Sequence, residues 1–229
     1  AIGLLPRLGA VGLAPDPFDE AFMARENAIF PEWLLGHHLN LSLDETERQL
    51  LDEMFACLTE NNLAQPQGVM HRDFHSRNLM VCGGDTPDDS RLAVIDFQDM
   101  VMGPLSYDLV SLLKDCYVRW PDEVIERGMG HGFDTLSRAG LLGGLDYASF
   151  RRHADLTGMQ RHLKAAGLFT RLYHRDGKSG YLKDIPRTLG YVVDVCQQHG
   201  ASYPELARFG AWLQQVVLPG LARVAGALA

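Results

Sequence analysis

The chain has 229 residues, of which 46% are hydrophobic and 22% charged, a composition typical of globular proteins with one large domain or two small ones. Its net charge of -8 argues against a nucleic-acid partner held by a basic surface. No apolar stretch approaches the roughly 20 residues that span a bilayer, so no membrane partner is expected. The four cysteines form no CxxC pair, which indicates reduced, mostly buried cysteines of a cytoplasmic protein.

The first half of the chain begins with two predicted helices. A broad apolar stripe predicts a helix over 18–39, and Pro31 is expected to bend or split it. A second helix is predicted over 43–61, where apolar residues occupy one side while acids and Arg48 occupy the other.

The pattern then changes to short strands. The runs 79–82 (LMVC) and 92–95 (LAVI) predict two strands, because the GGDTPDDSR between them is typical of a turn. In an antiparallel hairpin with Leu79 near Ile95, Asn78 is expected to face Asp96. An amide oxygen and a carboxylate at that separation suit Mg²⁺ beside phosphate oxygens.

The rest of the chain is predicted to be helical. A helix follows Gly103-Pro104, and residues 122–229 are expected to form helices broken at GMGHG, GLLGG, HRDGKSG and the prolines. The sequence therefore predicts an α+β fold that is mostly helical, with a small central β-hairpin.

A polar stretch, MHRDFHSRNLM at 70–80, carries the main chemical signal. His71-Arg72-Asp73, followed after four residues by Asn78, fits the H-R-D-x-x-x-x-N catalytic loop of kinases, and Asp96-Phe97 fits the D-F-G position. Phosphoryl transfer requires a metal ion on the phosphates and an oriented acceptor hydroxyl. The two motifs, in this order and joined by a hairpin, predict that chemistry with Asp73 as proton acceptor or orienting group.

Two alternatives belong to other classes. On a strand, His71, Asp73 and His75 would share one face, so H-x-D-x-H is also compatible with a zinc hydrolase site that has Asp96 as a further ligand. Arg72 and Arg77 would place two cations beside a dication, which argues against that site. A non-catalytic binding lobe is the third hypothesis, and His75 is equally compatible with loop packing and with substrate contact.

Three segments resemble a known superfamily: HRDFHSRNLM, VIDFQDMVMGPLSYDLVSLLKDCY and GMQRHLKAAGLFTRLYHRDGKSGYLKDIPRTLGYV. Over about 15–200 the chain is similar to the aminoglycoside phosphotransferase and choline kinase superfamily, and within it to bacterial anomeric sugar kinases. Those enzymes phosphorylate N-acetylmuramate and N-acetylglucosamine in cell-wall recycling. The resemblance implies ATP and Mg²⁺ as cofactors, a small-molecule sugar and a nucleotide as partners, and a location in the bacterial cytoplasm.

The resemblance also implies a role for each motif residue. Asp73 would be the catalytic aspartate, and Asn78 and Asp96 would hold Mg²⁺. His71 would support the catalytic loop, and Asp108 would bind the backbone of that loop from the following helix.

The chain departs from the superfamily pattern before the motifs. Kinase-like folds carry a phosphate-covering loop and a strand lysine in an N-terminal lobe, yet none of the 70 residues before His71 is lysine. We therefore expect a kinase-like C-terminal lobe without the N-terminal lobe, which would be its partner within the same protein. Catalysis by this chain alone is not expected. The predicted parts are a hinge-region segment at 1–17 and the lobe at 18–229, with the catalytic loop at 71–78, the metal-binding strand end at 96–99 and acceptor-side helices at 105–229.

The acceptor pocket has only weak candidates. Arg161 and Arg171 lie within an apolar helical pattern and are candidates for binding the lactyl carboxylate of N-acetylmuramate. Glu26 and Trp33, on the first predicted helix, are further candidates, although an aromatic residue at helical spacing is more often part of the core. A cationic aminoglycoside or another small-molecule hydroxyl remains an alternative acceptor, and it would favour a pocket rich in carboxylates.

Overall fold

A computed structural model describes residues 15–83 and 91–228, and these residues are mostly helical, as the sequence predicts. The chain divides into two compact units. The first contains the described residues up to Asp19 together with Asn62–Ala154, and the second contains Glu20–Asn61 and the described residues from Asp155 onward. The expected division into a hinge-region segment at 1–17 and a lobe at 18–229 stays a prediction.

The described residues form helices and four short strands. The helices are α1 (Glu20–Asn27), a π-helix (Phe30–His38), α2 (Glu45–Leu63), α3 (Tyr107–Leu113), α4 (Asp122–Arg138), α5 (Tyr147–Asp176), α6 (Ile185–His199), α7 (Pro204–Trp212), a second π-helix (Leu213–Val217) and α8 (Leu218–Leu228). Single 3₁₀ segments occur at Ser76–Asn78 and Ser179–Asp184. The strands are β1 (Gln67–Met70), β2 (Leu79–Cys82), β3 (Arg91–Val94) and β4 (Val101–Pro104). No helix among the described residues is long and apolar enough to cross a membrane.

The first two predicted helices are confirmed. The predicted helix is split between α1 and the π-helix, just before Pro31. Pro31 lies in the first turn of the π-helix, where its missing N–H costs no helical bond. The start of α2 is fixed by a reciprocal capping box, in which Asp44 Oδ1 accepts the Glu47 N–H (2.8 Å) and Glu47 Oε2 accepts the Asp44 N–H (3.0 Å).

The expectation of a single β-hairpin is wrong, because the first unit contains two antiparallel two-stranded sheets. One sheet pairs β2 with β3, as predicted, and the other pairs β1 with β4. The sequence did not reveal β1 and β4 because each has four residues and contains a glycine, and Pro104 ends β4; these residues normally signal turns. Part of the predicted hairpin loop, 84–90, lies outside the described residues.

The register of the β2–β3 hairpin also differs from the expected one. Leu79 pairs with Val94 rather than with Ile95. Asn78 is the last residue of the 3₁₀ turn before β2, and its carbonyl oxygen accepts the Ile95 N–H at 3.1 Å. Asn78 is therefore opposite Ile95, one residue before the expected Asp96.

The predicted break at GMGHG is wrong, because α4 runs through it without interruption. Gly128 and Gly132 are one helical turn apart, and a Cβ on either would lie 2.5 Å from Leu113 or Leu109 respectively. These glycines therefore allow α4 to approach α3 closely within the core of the first unit. That core consists of Leu105, Leu109, Val110, Leu113, Ile125, Met129, Leu136, Leu142, Phe150 and Ala154.

The other two predicted breaks are confirmed. GLLGG joins α4 to α5, and Gly140 there has a φ of 70°. HRDGKSG ends α5, and Gly177 has a φ of 69°. A positive φ is easy for glycine and ends a right-handed helix.

Candidate active site

The loop at 71–78 leaves β1 and leads into β2, and its start is held by a carboxylate. Asp108, buried in the first turn of α3, accepts the backbone N–H of His71 at 2.7 Å through Oδ2 and that of Arg72 at 3.0 Å through Oδ1. Hydrogen bonds to an ionised acceptor are stronger than neutral ones. They hold a backbone in which Arg72 has a φ of 71°.

The His71 side chain ties the same loop to the end of β3. The ring is fully buried, and Nε2 lies within hydrogen-bond distance of the Ile95 carbonyl oxygen, at 3.0 Å. It also packs edge-on against Phe74, with 5.9 Å between ring centroids. Because Ile95 directly precedes Asp96, these contacts fix the loop relative to that aspartate.

Asn78 brings the three central motif residues together. Its Nδ2 donates to the Asp73 carbonyl oxygen at 3.0 Å and to Asp96 Oδ2 at 3.2 Å. Asp96 can meet Asn78 despite the shifted register because it adopts a φ of 66° just after β3, a conformation that aspartate tolerates better than most residues. Gln98 donates to the other carboxylate oxygen of Asp96 at 2.8 Å.

The donor set suits a hard divalent cation. With Nδ2 of Asn78 committed to Asp73 and Asp96, its Oδ1 accepts no hydrogen bond from any described residue. This amide oxygen and the exposed carboxylate of Asp96 are both oxygen donors of the kind that Mg²⁺ prefers.

The Asp73 carboxylate is available for proton chemistry. It is half-buried, and in the described part of the chain it has no hydrogen-bond partner. Only the Asp73 backbone carbonyl is used, by His75 N–H and by Asn78 Nδ2, both at 3.0 Å. A general base must be able to reach the proton that it accepts, and an uncommitted carboxylate next to the Asn78 and Asp96 oxygens meets that requirement.

The zinc-site alternative has no structural support. Among residues 15–83 and 91–228, no group of three His, Cys, Asp or Glu side chains is arranged to hold a metal ion. The assumption of a strand over 71–75 is wrong, because the chain turns at Arg72. Instead of sharing a face, the His71 ring meets the Ile95 carbonyl, and the His75 ring packs against Tyr117 with 5.2 Å between centroids.

Sequence reasoning missed two residues that contact the loop at 71–78. Asp115 is fully buried, and its Oδ2 accepts the Ser76 N–H at 2.9 Å. The ring of Tyr117 lies beneath the Arg77 guanidinium, 3.6 Å from its carbon to the ring centroid. No local signal marks either residue, because the contact with Ser76 spans 39 positions of sequence.

The acceptor candidates Glu26 and Trp33 lie in the second unit. Glu26 is buried and forms an ion pair with Lys164, with Nζ 2.8 Å from Oε1, and Gln160 Nε2 lies 3.5 Å from its other oxygen. Trp33 is half-buried and its ring packs on that of His37, at 4.7 Å between centroids.

The two arginine candidates are also in the second unit, both on α5. Arg161 is buried, with 6% of its surface exposed. Arg171 is half-buried, and its Nε has no hydrogen-bond partner among the described residues. The contribution of all four residues to acceptor binding stays a prediction.

Comparison with known proteins identifies the chain as a phosphotransferase-family member. The sequence model of the family described as APH, phosphotransferase enzyme family, matches residues 1–142. The chain belongs to this family, which confirms the resemblance inferred from its motifs.

Individual relatives carry a more specific name than the family does. The chain is 38% identical over 204 residues to the N-acetylmuramate/N-acetylglucosamine kinase of Pseudomonas putida, covering 89% of this chain and 57% of that protein. It is 39% identical over 213 residues to the protein of the same name from Neisseria meningitidis, covering 93% of this chain and 60% of that protein. The chain thus spans less than two thirds of the length of these relatives.

A solved structure supports the fold. The Plasmodium vivax ethanolamine kinase matches with a TM-score of 0.51 at 13% identity, covering 79% of this chain and 49% of that one. At this identity the likeness concerns the fold, which is kinase-like.

Proposed function

We propose that this chain is the catalytic-loop part of an ATP-dependent sugar kinase that phosphorylates the anomeric hydroxyl of N-acetylmuramate or N-acetylglucosamine. One observation carries the proposal: the Asn78 amide donates to both the Asp73 carbonyl and the Asp96 carboxylate, at 3.0 and 3.2 Å. That contact joins a proton acceptor to two oxygen donors for a metal ion. The acceptor sugar is proposed from the names of the bacterial relatives.

Each central residue has a separate task in this proposal. Asp73 accepts or orients the proton of the sugar hydroxyl, and orientation counts most if the transition state is loose. Asn78 and Asp96 hold Mg²⁺, which offsets the negative charge of the ATP phosphates when bound. Because ATP is the proposed donor, we assign the reaction to the bacterial cytoplasm. The resemblance to bacterial anomeric sugar kinases leads us to assign it to cell-wall recycling.

Two further residues keep the loop in place. Asp108 binds the backbone at the start of the loop through two hydrogen bonds. The His71 ring connects the loop to Ile95 and therefore to the position of Asp96. Neither residue contacts a reacting group in this proposal, so both act by positioning.

We also propose that a further lobe of the same protein covers the β2–β3 hairpin and contacts the nucleotide. Large apolar side chains around this hairpin are exposed, with 72% of Val81 and 67% of Leu92 accessible. The others are Met80, Ile95 and Phe97. Several exposed large apolar side chains on one short hairpin are typical of an interaction surface. The relatives, whose length this chain only partly spans, have room for such a lobe.

For the acceptor side, we propose that Arg161 and Arg171 contribute positive charge for a sugar carboxylate, with Glu26 and Trp33 as further lining residues. His75 is a weaker candidate, because its ring already packs on Tyr117. Arg171 has the clearest support, since its Nε is buried and has no hydrogen-bond partner among the described residues. A buried guanidinium nitrogen without a partner is costly unless a ligand supplies one.

The test is a phosphate-transfer assay on the protein encoded by the full reading frame that contains this chain. The acceptors are N-acetylmuramate, N-acetylglucosamine, kanamycin and choline with Mg-ATP, and the position of the phosphate is read by NMR. Turnover of the N-acetyl sugars at the anomeric hydroxyl supports the proposal. Turnover of kanamycin or choline alone would refute the sugar assignment, and no turnover with any acceptor would refute the kinase assignment.

A pair of variants controls the assay. Asp73→Asn removes the proton acceptor and should lower kcat by about 10²- to 10⁴-fold. Asp134→Asn makes the same chemical change at an exposed position on α4 and should leave kcat unchanged. Near-normal kcat in Asp73→Asn would show that Asp73 is not the acceptor group.

A further inference from the structure

The strongest unassigned feature of the first unit is a buried carboxylate that joins the catalytic loop to the segment after α3. Asp115 is fully buried two residues beyond the end of α3. Its Oδ2 accepts the Ser76 N–H at 2.9 Å, and its Oδ1 accepts the Tyr117 N–H at 2.7 Å. A buried charge requires such partners, and each oxygen here has one.

The bond to Ser76 replaces a missing helix cap. Ser76 begins the 3₁₀ turn Ser76–Asn78, and the N–H groups at the start of a helix have no partner within it. The preceding residue, His75, provides no side-chain cap. Asp115 therefore supplies from elsewhere in the chain the acceptor that a local N-cap residue usually provides.

Tyr117 holds the side chains of the same turn. The Arg77 guanidinium lies over the face of its ring at 3.6 Å, which is a cation–π contact. The His75 ring meets it edge-on at 5.2 Å and 80°. Residues 75–77 are thus held by Asp115 and Tyr117, and the next residue is Asn78.

We infer that Asp115, assisted by Tyr117, is a positioning residue that sets the Asn78 side chain for Mg²⁺ binding. This inference rests on the proposed function. Asp108 holds the start of the loop, at His71 and Arg72, whereas Asp115 holds its end. Because the end of the loop carries the Asn78 amide, loosening it changes the metal site more than the sugar site.

The experiment compares Asp115→Asn with the wild type in the protein encoded by the full reading frame. Asparagine keeps the size of the side chain but offers one oxygen in place of two, so one partly buried N–H loses its acceptor. We expect the Mg²⁺ concentration for half-maximal activity to rise about 10- to 100-fold, the range that corresponds to one lost bond to a charged acceptor. The kcat at limiting Mg²⁺ falls accordingly, and the KM for the sugar stays within about twofold.

Asp155→Asn is the matched control. Asp155 is also fully buried, and it accepts from Gln198 Nε2 at 3.3 Å and lies 3.1 Å from His199 Nε2, in the second unit. Its loss should lower the melting temperature without changing the Mg²⁺ requirement. If Asp115→Asn behaves in the same way as Asp155→Asn, with only its stability reduced, the positioning role is refuted.

A second readout separates this inference from the proposed function. If the wild type phosphorylates no acceptor, the proposed function fails, and hydrogen exchange then tests the contact of Asp115 with Ser76 directly. The Ser76 amide should be protected in the wild type and exchange at least about tenfold faster in Asp115→Asn, but not in Asp155→Asn. Equal exchange in all three proteins would overturn the inference.

Tyr117→Leu is the second variant for this test, for use if Asp115→Asn does not fold. This variant keeps the carboxylate and removes the ring that contacts Arg77 and His75. A shift in the Mg²⁺ requirement of about two- to fivefold is expected from the loss of one cation–π contact. A wild-type requirement in this variant would count against the inference.

Discussion

The two sheets of the first unit have the same size and pairing but opposite environments. Both consist of two antiparallel strands of four residues. In β1–β4, Val69 and Met70 are each 2% exposed and Val101 is 4% exposed. In β2–β3, by contrast, Met80 is 49%, Leu92 67% and Val81 72% exposed.

The difference shows that strand pairing alone does not decide the role of a sheet. A two-stranded sheet is marginally stable unless other elements pack on it. Because β1–β4 is buried, it is a firm base for the loop at 71–78. The β2–β3 hairpin has few such contacts on its exposed face. Because Asn78 directly precedes β2 and Asp96 follows β3, both lie at the open end of this hairpin. We therefore expect the exposed sheet to matter for activity and the buried sheet for stability.

Asp96→Asn should have the largest effect and should sharpen this contrast. Asparagine tolerates the positive φ of position 96, so the free energy of unfolding should change little. The variant removes the carboxylate proposed to bind Mg²⁺, and we expect kcat to fall by about 10²-fold or more. Steady-state kinetics and urea unfolding of the full-length protein measure the two effects, with Asp134→Asn as control. A large loss of unfolding free energy without a loss of kcat would contradict the assignment of the exposed sheet to activity.

The matched pair Met70→Ala and Met80→Ala tests the buried and the exposed sheet with one chemical change. Met70 is 2% exposed in β1, whereas Met80 is 49% exposed in β2. We expect Met70→Ala to cost about 2–5 kcal/mol of unfolding free energy because it leaves a cavity. Met80→Ala should stay within about 0.5 kcal/mol. Urea unfolding of both variants measures these costs. Equal losses of unfolding free energy would contradict the difference between the buried and the exposed sheet.

Val81→Ser tests whether another part of the protein covers the exposed sheet. In this chain the substitution should change stability by less than about 0.5 kcal/mol, because the side chain is exposed. In the full-length protein it should cost about 1 kcal/mol or more if the valine becomes buried. Thermal unfolding of both proteins gives the answer. An identical small effect in both would refute the proposed cover.

The smallest expected effect concerns acid stability outside both sheets. Burial, with a smaller contribution from Arg152, lowers the pKa of His153 on α5. The unfolded chain then binds this proton at a higher pH than the folded chain. Stability should therefore fall as the pH drops below about 6.5, the usual histidine value, until the lowered folded pKa is passed.

Replacing His153 measures this contribution. His153→Gln should flatten the decline of the melting temperature between pH 7 and pH 5, without abolishing it, because burial and His174 also lower the pKa of His38. The exposed His131 supplies the control variant His131→Gln. If both variants follow the wild-type curve, His153 does not contribute to acid sensitivity.

The predictable part of the site was the part encoded by spacing. Asp73, Asn78 and Asp96 were expected to meet, and Asn78 does contact the other two. The geometry of their meeting differs from the expected one, because the strand register is shifted by one residue and the positive φ of Asp96 compensates for the shift. A hydrophobic pattern shows which residues form strands, but it does not show how a single residue turns the chain after a strand.

The errors share one physical cause. Gly128 and Gly132 look like helix breakers in the sequence, yet they continue α4 because the helix needs space for two leucines of α3. In the same way, β1 and β4 have weak strand patterns and form because their pairing and burial favour them. Tertiary packing overrode local propensity in each case.

The amino-acid pattern was sufficient for the mostly helical class, the β2–β3 hairpin, the motif residues and the family. These features depend on periodicity and on short spacings, which are local properties of the chain. The β1–β4 pairing, the shifted register and the contact of Asp115 with Ser76 emerged only in the folded molecule. Each depends on which distant groups can satisfy buried backbone N–H and C=O groups, and no local window of sequence contains that information.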